Sequence, residues 1–359
     1  SDLQRIGREV PGVSLQIEDG YGLRPNIGIR GVATERSGRI TLLEDNVLIA
    51  PAPDSAPAAY YFPTMGRMAA VEVVKGPAAI TQGPYTIGGA LNMASTPIPR
   101  ETGGTLLTEV GQDATYRVHA TYGGRSDNGV GFLIEAHQWQ SDGFQTIDRS
   151  GADTGLDVTD FTAKLSYAPV GSPHAIELKL QLADQDSNQS YLGLSDADFG
   201  NDALRRYGLS ELDNIATEHE QAILRYSFDV TANLSVTATA YNNTHQRNWF
   251  KTEGIDLDGS VNADSFSGSS WASVVDAVNL GKGLGTYTHG ELQGILDGNI
   301  DTAAGSVQLR SNNREYYSRG LQFGANWDGS FGGALHSVSM GLRFHEDEED
   351  RFQRNDTYS

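Results

Sequence analysis

One pattern restricts the fold of this chain more than any other: stretches of about ten residues in which apolar and polar side chains alternate singly, the period of a strand with two unlike faces. Ile176, Leu178, Leu180 and Leu182 fall on one face, while Glu177, Lys179 and Gln181 fall on the other. The same division separates Ala222, Leu224, Tyr226, Phe228 and Val230 from Gln221, Arg225, Ser227 and Asp229, and Leu234, Val236, Ala238 and Ala240 from Ser235, Thr237 and Thr239. It returns at Leu321, Phe323, Ala325 and Trp327, and again at Val338, Met340, Leu342 and Phe344. Soluble sandwiches use strands of about five or six residues, whereas about nine to eleven are needed to cross a bilayer at a tilt.

The connections point the same way. Short turns are expected at Ser126–Asn128, Pro169–His174, Thr231–Asn233 and Asp328–Gly333, and long excursions at 141–159, 187–218 and 246–315, with one short link near Gln112–Ala114. Alternating short and long connections are the habit of outer-membrane barrels. The competing reading is a soluble β-sandwich with one solvated face. Tyr122, Trp139, Phe161, Tyr167, Trp249 and Trp327 lie near strand ends and suit interfacial girdles, or a sandwich rim.

Composition removes several function classes. The 26 Lys and Arg against 46 Asp and Glu give a formal charge of -20, the wrong sign for a partner made of phosphates. Gly, at 42 residues, exceeds the background of about 7% while the 12 Pro do not stand out, which favours turns and strands over disorder. Cysteine is absent, so disulfides, thiolate metal sites and cysteine nucleophiles are excluded. No apolar run is long enough for a membrane helix, and Ser1 does not open a signal peptide, so the start is expected to have been removed. HExxH, Gly-x-Ser-x-Gly and phosphate-loop motifs are missing and the eight His are scattered, so no enzyme is expected.

Before residue 100 the grammar differs. A helix is expected over Leu3–Val10, and short strands at Ile27–Gly31, Ile40–Leu43, Val71–Val74 and Ala90–Met93. Pro11-Gly12-Val13, Ile29-Arg30-Gly31, Leu42-Leu43-Glu44-Asp45-Asn46-Val47, Val71 to Pro77, and Gly83 through Ile87-Gly88-Gly89-Ala90-Leu91-Asn92 stand in one order. That series resembles the plug domain of TonB-dependent outer-membrane receptors, and within that family the ferric citrate receptor branch, on whose plug Arg30 to Val47 can be laid without a gap. The resemblance covers residues 5 to 98; beyond them only the barrel pattern is shared. Asp45-Asn46 replaces the family's usual Asp-Gly in a tight turn, where Asn is the next-best residue.

The resemblance implies a mixed α/β plug domain over 1–98, followed over 99–359 by the N-terminal portion of an antiparallel transmembrane β-barrel. About nine strands are expected here, against the twenty-two of the plugged transporters. An open sheet of that size would leave its edges unpaired in lipid, so the chain is expected to be a fragment of a longer receptor. It would lack the N-terminal segment that the inner-membrane TonB complex grips. The implied function is energy-coupled import of a ferric chelate, ferric citrate or a siderophore, across the outer membrane of a Gram-negative bacterium, with lipid and lipopolysaccharide as surroundings. The chelate is transported ligand, and no cofactor is expected. A non-transporting surface binding or signalling receptor, and a passive porin, are the alternatives.

An anionic chelate calls for guanidinium forks. Arg36 and Arg39, in Thr34-Glu35-Arg36-Ser37-Gly38-Arg39, are placed by the resemblance at the outward-facing apex of the plug and are the first candidates for ligand contact. Each charge-assisted hydrogen bond is worth roughly 1.5 to 3 kcal/mol, so either Arg→Ala change should weaken binding by about tenfold to a hundredfold. Arg24, before Pro25, is set outside the apical loop, and Arg30 is expected to pair with a carboxylate on the barrel wall. Tyr60 and Tyr61 follow the second apical segment, either lining the pocket floor or packing inside the plug. Arg205, Arg206, Arg247 and Arg314, with Lys251 and Arg310, fall in or beside the external loops as a candidate cationic vestibule. No metal site is expected: Glu346–Asp350 reads as a solvated acidic loop, and Asp256–Ser260 carries its Gly at the wrong place for a calcium loop. A short helix is expected near Trp271–Leu280.

Overall fold

A computed structural model describes residues 2–358 except Glu18, Ala52, Asp54, Ser55, 258–267 and Ala304. The partial calcium-loop pattern therefore lies largely outside the described residues. The head opens with helix α1 (Asp2–Glu9) and an antiparallel pair, β1 (Val13–Ile17) with β2 (Pro25–Ile29). Four further strands follow: β3 (Ile40–Glu44), β4 (Val47–Leu48), β5 (Met68–Val74) and β6 (Gly89–Ser95), ordered β4-β3-β6-β5 with β3 parallel to β6. Ile27, Ile29, Ile40, Leu42, Leu91 and Met93 form their common core. Asp45 and Asn46 close β3 onto β4 with φ of 50° and 65°, the left-handed pair that a two-residue hairpin turn requires. Gly89 has φ of 147°, and a Cβ there would stand 2.5 Å from the Val74 carbonyl oxygen, so no other residue fits between β5 and β6.

The rest is one antiparallel meander with helical insertions. Its strands are β7 (Gly103–Val110), β8 (Tyr116–Arg125), β9 (Val130–Ser141), β11 (Leu156–Tyr167), β12 (His174–Ser187), β14 (Asn214–Thr231), β15 (Leu234–Asp256), β17 (Val307–Phe331) and β18 (Ala334–Tyr358). Short β16 (Gly268–Ser270) adds to β15, completing a ten-stranded sheet whose edges are β7 and β18. Outside this sheet, β10 (Thr146–Ile147) pairs in parallel with β13 (Arg205–Arg206), and helices α2 (Asp196–Asn201), α3 (Trp271–Asn279) and α4 (His289–Leu296) ride on the external connections. None of the described helices is long and apolar enough to cross a membrane.

The alternation has the expected two faces. Leu180, Leu182, Leu321, Phe323, Met340 and Leu342 are exposed on the outer side. Lys179, Gln181, Thr239 and His245 are buried on the inner side, against the plug.

Several boundaries differ from those expected. β14 has 18 residues, β15 has 23, and β17 and β18 have 25 each, so much of 246–315 is strand, with a connection only from 257 to 306. The apolar contrast marks only a belt across the strands; beyond it outward positions such as Glu218, Glu315 and Glu348 are polar while the backbone ladder continues. For the same reason Glu346–Asp350 is not a loop but part of β18. The turn expected at Asp328–Gly333 shrinks to Gly332-Gly333, with φ of 61° and 81°. Trp139 and Trp249 do not join an interfacial girdle, because both lie on the inner face.

Candidate ligand site above the plug

The plug is fastened to the wall by a buried ion network. Arg67 Nε donates to Asp160 Oδ2 on β11 at 2.6 Å, and its Nη1 to Glu44 Oε1 at 2.8 Å. From β12, Lys179 Nζ reaches Glu44 Oε1 at 2.5 Å and Asp45 Oδ2 at 2.6 Å. Burial alone would raise the Glu44 carboxyl, but the Arg67 and Lys179 charges outweigh it and hold it below the ordinary carboxylate range. Asp45 is depressed in the same way, its burial outweighed by Lys179 and Lys164. Tyr61 belongs to this network rather than to a pocket floor: it is buried, its hydroxyl accepts from Arg67 Nη2 at 3.2 Å and contacts Gln181, and its ring stacks on His219 at 3.4 Å between centroids. None of Glu44, Arg67, Asp160 or Lys179 stands out in the sequence as a site residue, since the charges that pair with them come from distant segments.

Above this network, on the side of the long connections, Tyr60 turns the other way. The Arg247 guanidinium carbon sits 4.3 Å from its ring centroid and 5.8 Å from that of Trp249. Trp249 stacks on Tyr191 at 4.3 Å, and Lys251 Nζ covers the other part of this pair, 4.2 Å from the Tyr191 centroid. Arg314 lies beside Arg247 on the neighbouring strand and pairs with Glu349 at 2.8 Å. Arg247 has no such partner among the described residues. It is 2% exposed, and its polar neighbours are the Tyr316 phenol, close enough to share a hydrogen bond, and the Arg314 guanidinium. A buried cation without a carboxylate is costly, and aromatic faces offset only part of that cost.

The other candidates separate into groups. Arg36 is exposed, with φ of 56°, and its carbonyl accepts from Ala58 N at 3.0 Å, which joins its loop to the segment carrying Tyr60. Arg39 is exposed too, but no contact among the described residues joins it to the aromatic wall. Arg30 is exposed, and among the described residues no ion pair joins it to the wall. Arg24, set apart by its place before Pro25, is buried on the upper side of the plug, where its Nη1 donates to Gln189 Oε1 at 2.9 Å.

Arg205 and Arg206 are occupied by the loops themselves. Arg205 bridges Asp148 at 2.8 Å, Asp198 at 2.7 Å and Asp297 at 2.8 Å, carboxylates from three different connections, and these bonds raise its own pKa. Arg206 is buried, and its Nη2 donates to the Ser210 carbonyl at 2.9 Å. Around them Tyr207, Ile255, Trp271, Val274, Leu292 and Ile295 pack into a second core, so the connections form a built cap. A hollow of about 460 Å³ above the apolar belt is lined by Asp157, Asp184, Asp186 and Glu218 together with Arg247 and Arg314, so it carries charges of both signs.

A long-stranded antiparallel wall packed on a small mixed plug is the fold of plugged outer-membrane receptors. Residues 1–90 match the model of the TonB-dependent receptor plug domain. The whole chain has the fold of solved members of that class. The ferric citrate transporter FecA in its unliganded form superposes with a TM-score of 0.70 at 19% identity, over 98% of this chain and 46% of that one. The siderophore receptor PiuA from Acinetobacter baumannii gives 0.68 at 17% identity, over 97% and 43%. The pyoverdine outer membrane receptor FpvA from Pseudomonas aeruginosa gives 0.68 at 12% identity, over 98% and 44%. The chain thus spans less than half the length of these structures, and none of them is an enzyme by its description.

Proposed function

We propose that this chain is the plug and the first part of the barrel of an outer-membrane receptor that imports a ferric chelate with an anionic shell, ferric citrate or a carboxylate siderophore, driven by the TonB complex. The observation that carries the reading is Arg247: a buried guanidinium with no carboxylate partner among the described residues, held between Tyr60 of the plug and Trp249 of the wall. An anionic ligand supplies the missing counter-charge, and because Tyr60 belongs to the plug, the same contact reports occupancy to the element that must move. Arg314 lies beside this centre on the neighbouring strand, and Arg36 and Arg39 are secondary contacts. Lipid and lipopolysaccharide surround the exposed outer face.

The test is titration of the full-length receptor with ferric citrate, together with uptake of labelled iron by cells with and without TonB. Arg247→Gln should weaken binding by about tenfold to a hundredfold without loss of thermal stability, since it removes an unpaired buried charge. Unaltered affinity in that variant rejects the site, and uptake that persists without TonB rejects energised import.

A further inference from the structure

Far below Arg247, toward the short turns, β-sheet register assembles a second positive surface. Arg225 on β14 lies opposite Thr239 on β15, Thr239 opposite Gln322 on β17, and Gln322 opposite Arg343 on β18. These four form one cross-strand row on the inner face, its two arginines about 14 Å apart at three strand spacings. The row immediately below is Ser227, Thr237, Gly324 and Gly341, too small to fill the space in front of it. A cavity of about 810 Å³ opens there between wall and plug. Its plug side is the Asn46 turn and the segment around Gln82 and Gly83.

The charges in this cavity are not neutralised locally. Arg225 Nη2 donates to the Asp45 carbonyl at 2.6 Å, Arg343 Nη1 to the Gln82 carbonyl at 2.8 Å, and Gln322 Nε2 to the Asn46 carbonyl at 3.3 Å. All three acceptors are neutral backbone groups of the plug. Among the described residues neither arginine makes an ion pair, although Glu177 stands across from Arg225 on β12, and Arg343 Nε is buried without an acceptor. A guanidinium with spare donors beside an open polar space is an anion site by the chemistry that applies at Arg247.

We infer that this cavity is a second anion-binding site, on the exit side of the plug, which receives the carboxylate-coated chelate after it leaves the upper cleft. The inference rests on the anionic-cargo reading for its role in transport, but not for the site itself. When the plug shifts, the same bonds that tie Asp45, Asn46 and Gln82 to the wall must break, and the freed donors then face the cavity. Small wall residues on β15, β17 and β18 make this the side of the barrel along which cargo passes.

Crystals of the full-length receptor soaked in selenate, and uptake of radiolabelled ferric citrate, test this with two double variants, Arg225→Gln with Arg343→Gln and Arg225→Lys with Arg343→Lys. Gln keeps hydrogen-bond donors without charge, and Lys keeps charge without the fork. Selenate should occupy the cavity in the natural protein and be absent from the Gln pair. Uptake should fall by about tenfold in the Gln pair while surface binding is unchanged, and the Lys pair should retain most of the rate. An empty cavity, or Gln variants that import as fast as Lys variants, overturns the inference. Should the natural receptor fail to bind ferric citrate at Arg247 while selenate fills the lower cavity, the cargo reading falls and the site stands.

Discussion

Arg247 and Arg67 are both buried guanidinium groups, yet their surroundings give them opposite roles. Arg67 meets Glu44 and Asp160 at hydrogen-bond distance and so belongs to a closed network, in which removal of one member strands another charge. Arg247 meets two aromatic faces and no carboxylate among the described residues, the state of a group awaiting a partner. The Arg67 network also fixes a pH dependence. Glu44 and Asp45 have folded pKa values below those of unfolded carboxylates. Their stabilisation is therefore complete above about pH 4, the unfolded value, and lost only as pH falls through the depressed folded values. The carboxylate contribution to protease resistance of the plug should be lost as pH falls below about 4, and in Lys179→Met the loss should begin at higher pH. Loss that begins at the same pH in both proteins would contradict this.

Among the elements, the external connections depend on one side chain. Arg205 sits on two-residue β13 and reaches Asp148 beside β10, Asp198 in α2 and Asp297 at the end of α4. The connections 142–155, 188–213 and 257–306 are thereby linked through a single guanidinium, over a core containing Trp271 and Leu292. Arg205→Ala should speed amide hydrogen exchange in all three together and leave the strands below unchanged; faster exchange confined to 188–213 would show that the connections move independently. Ligand affinity should change far less than for Arg247→Gln, since Arg205 faces carboxylates of the cap and not the cleft. The strands themselves behave more simply: their outer face is apolar only across the belt, and their inner face is polar where it meets the plug.

At the scale of the whole molecule, the plug and wall meet through buried polar contacts with smaller apolar clusters among them, such as Val47 with Ile223 and Tyr241. Ions at Arg67 and Lys179, arginine-to-carbonyl bonds at Arg225 and Arg343, and the Tyr61-His219 stack hold the two together. Polar contacts of this kind exchange for water at small net cost. The outer face obeys the opposite rule. Leu180→Arg, in the middle of the apolar belt, should reduce stability in lipid by about 2–4 kcal/mol, while Asp184→Arg, two positions along the same face and beyond the belt, should be nearly neutral. Equal costs for the two, measured by denaturant titration in vesicles, would place the membrane elsewhere.

The sequence alone determined which residues alternate, and therefore that long strands form with one apolar and one polar face, because that period is local. It also determined the Asp45-Asn46 turn and, through the order of its glycine-bearing motifs, the plug. It located Arg247 and Arg314 among a larger set of arginines without separating them from Arg205 and Arg206, which carry the same charge in similar loops. Only the tertiary structure decided that difference, by placing three carboxylates around Arg205 and a tyrosine and a tryptophan around Arg247. The physical reason is that a charge's role depends on what lies across from it, and those neighbours come from segments up to 187 residues away, as Tyr60 does from Arg247.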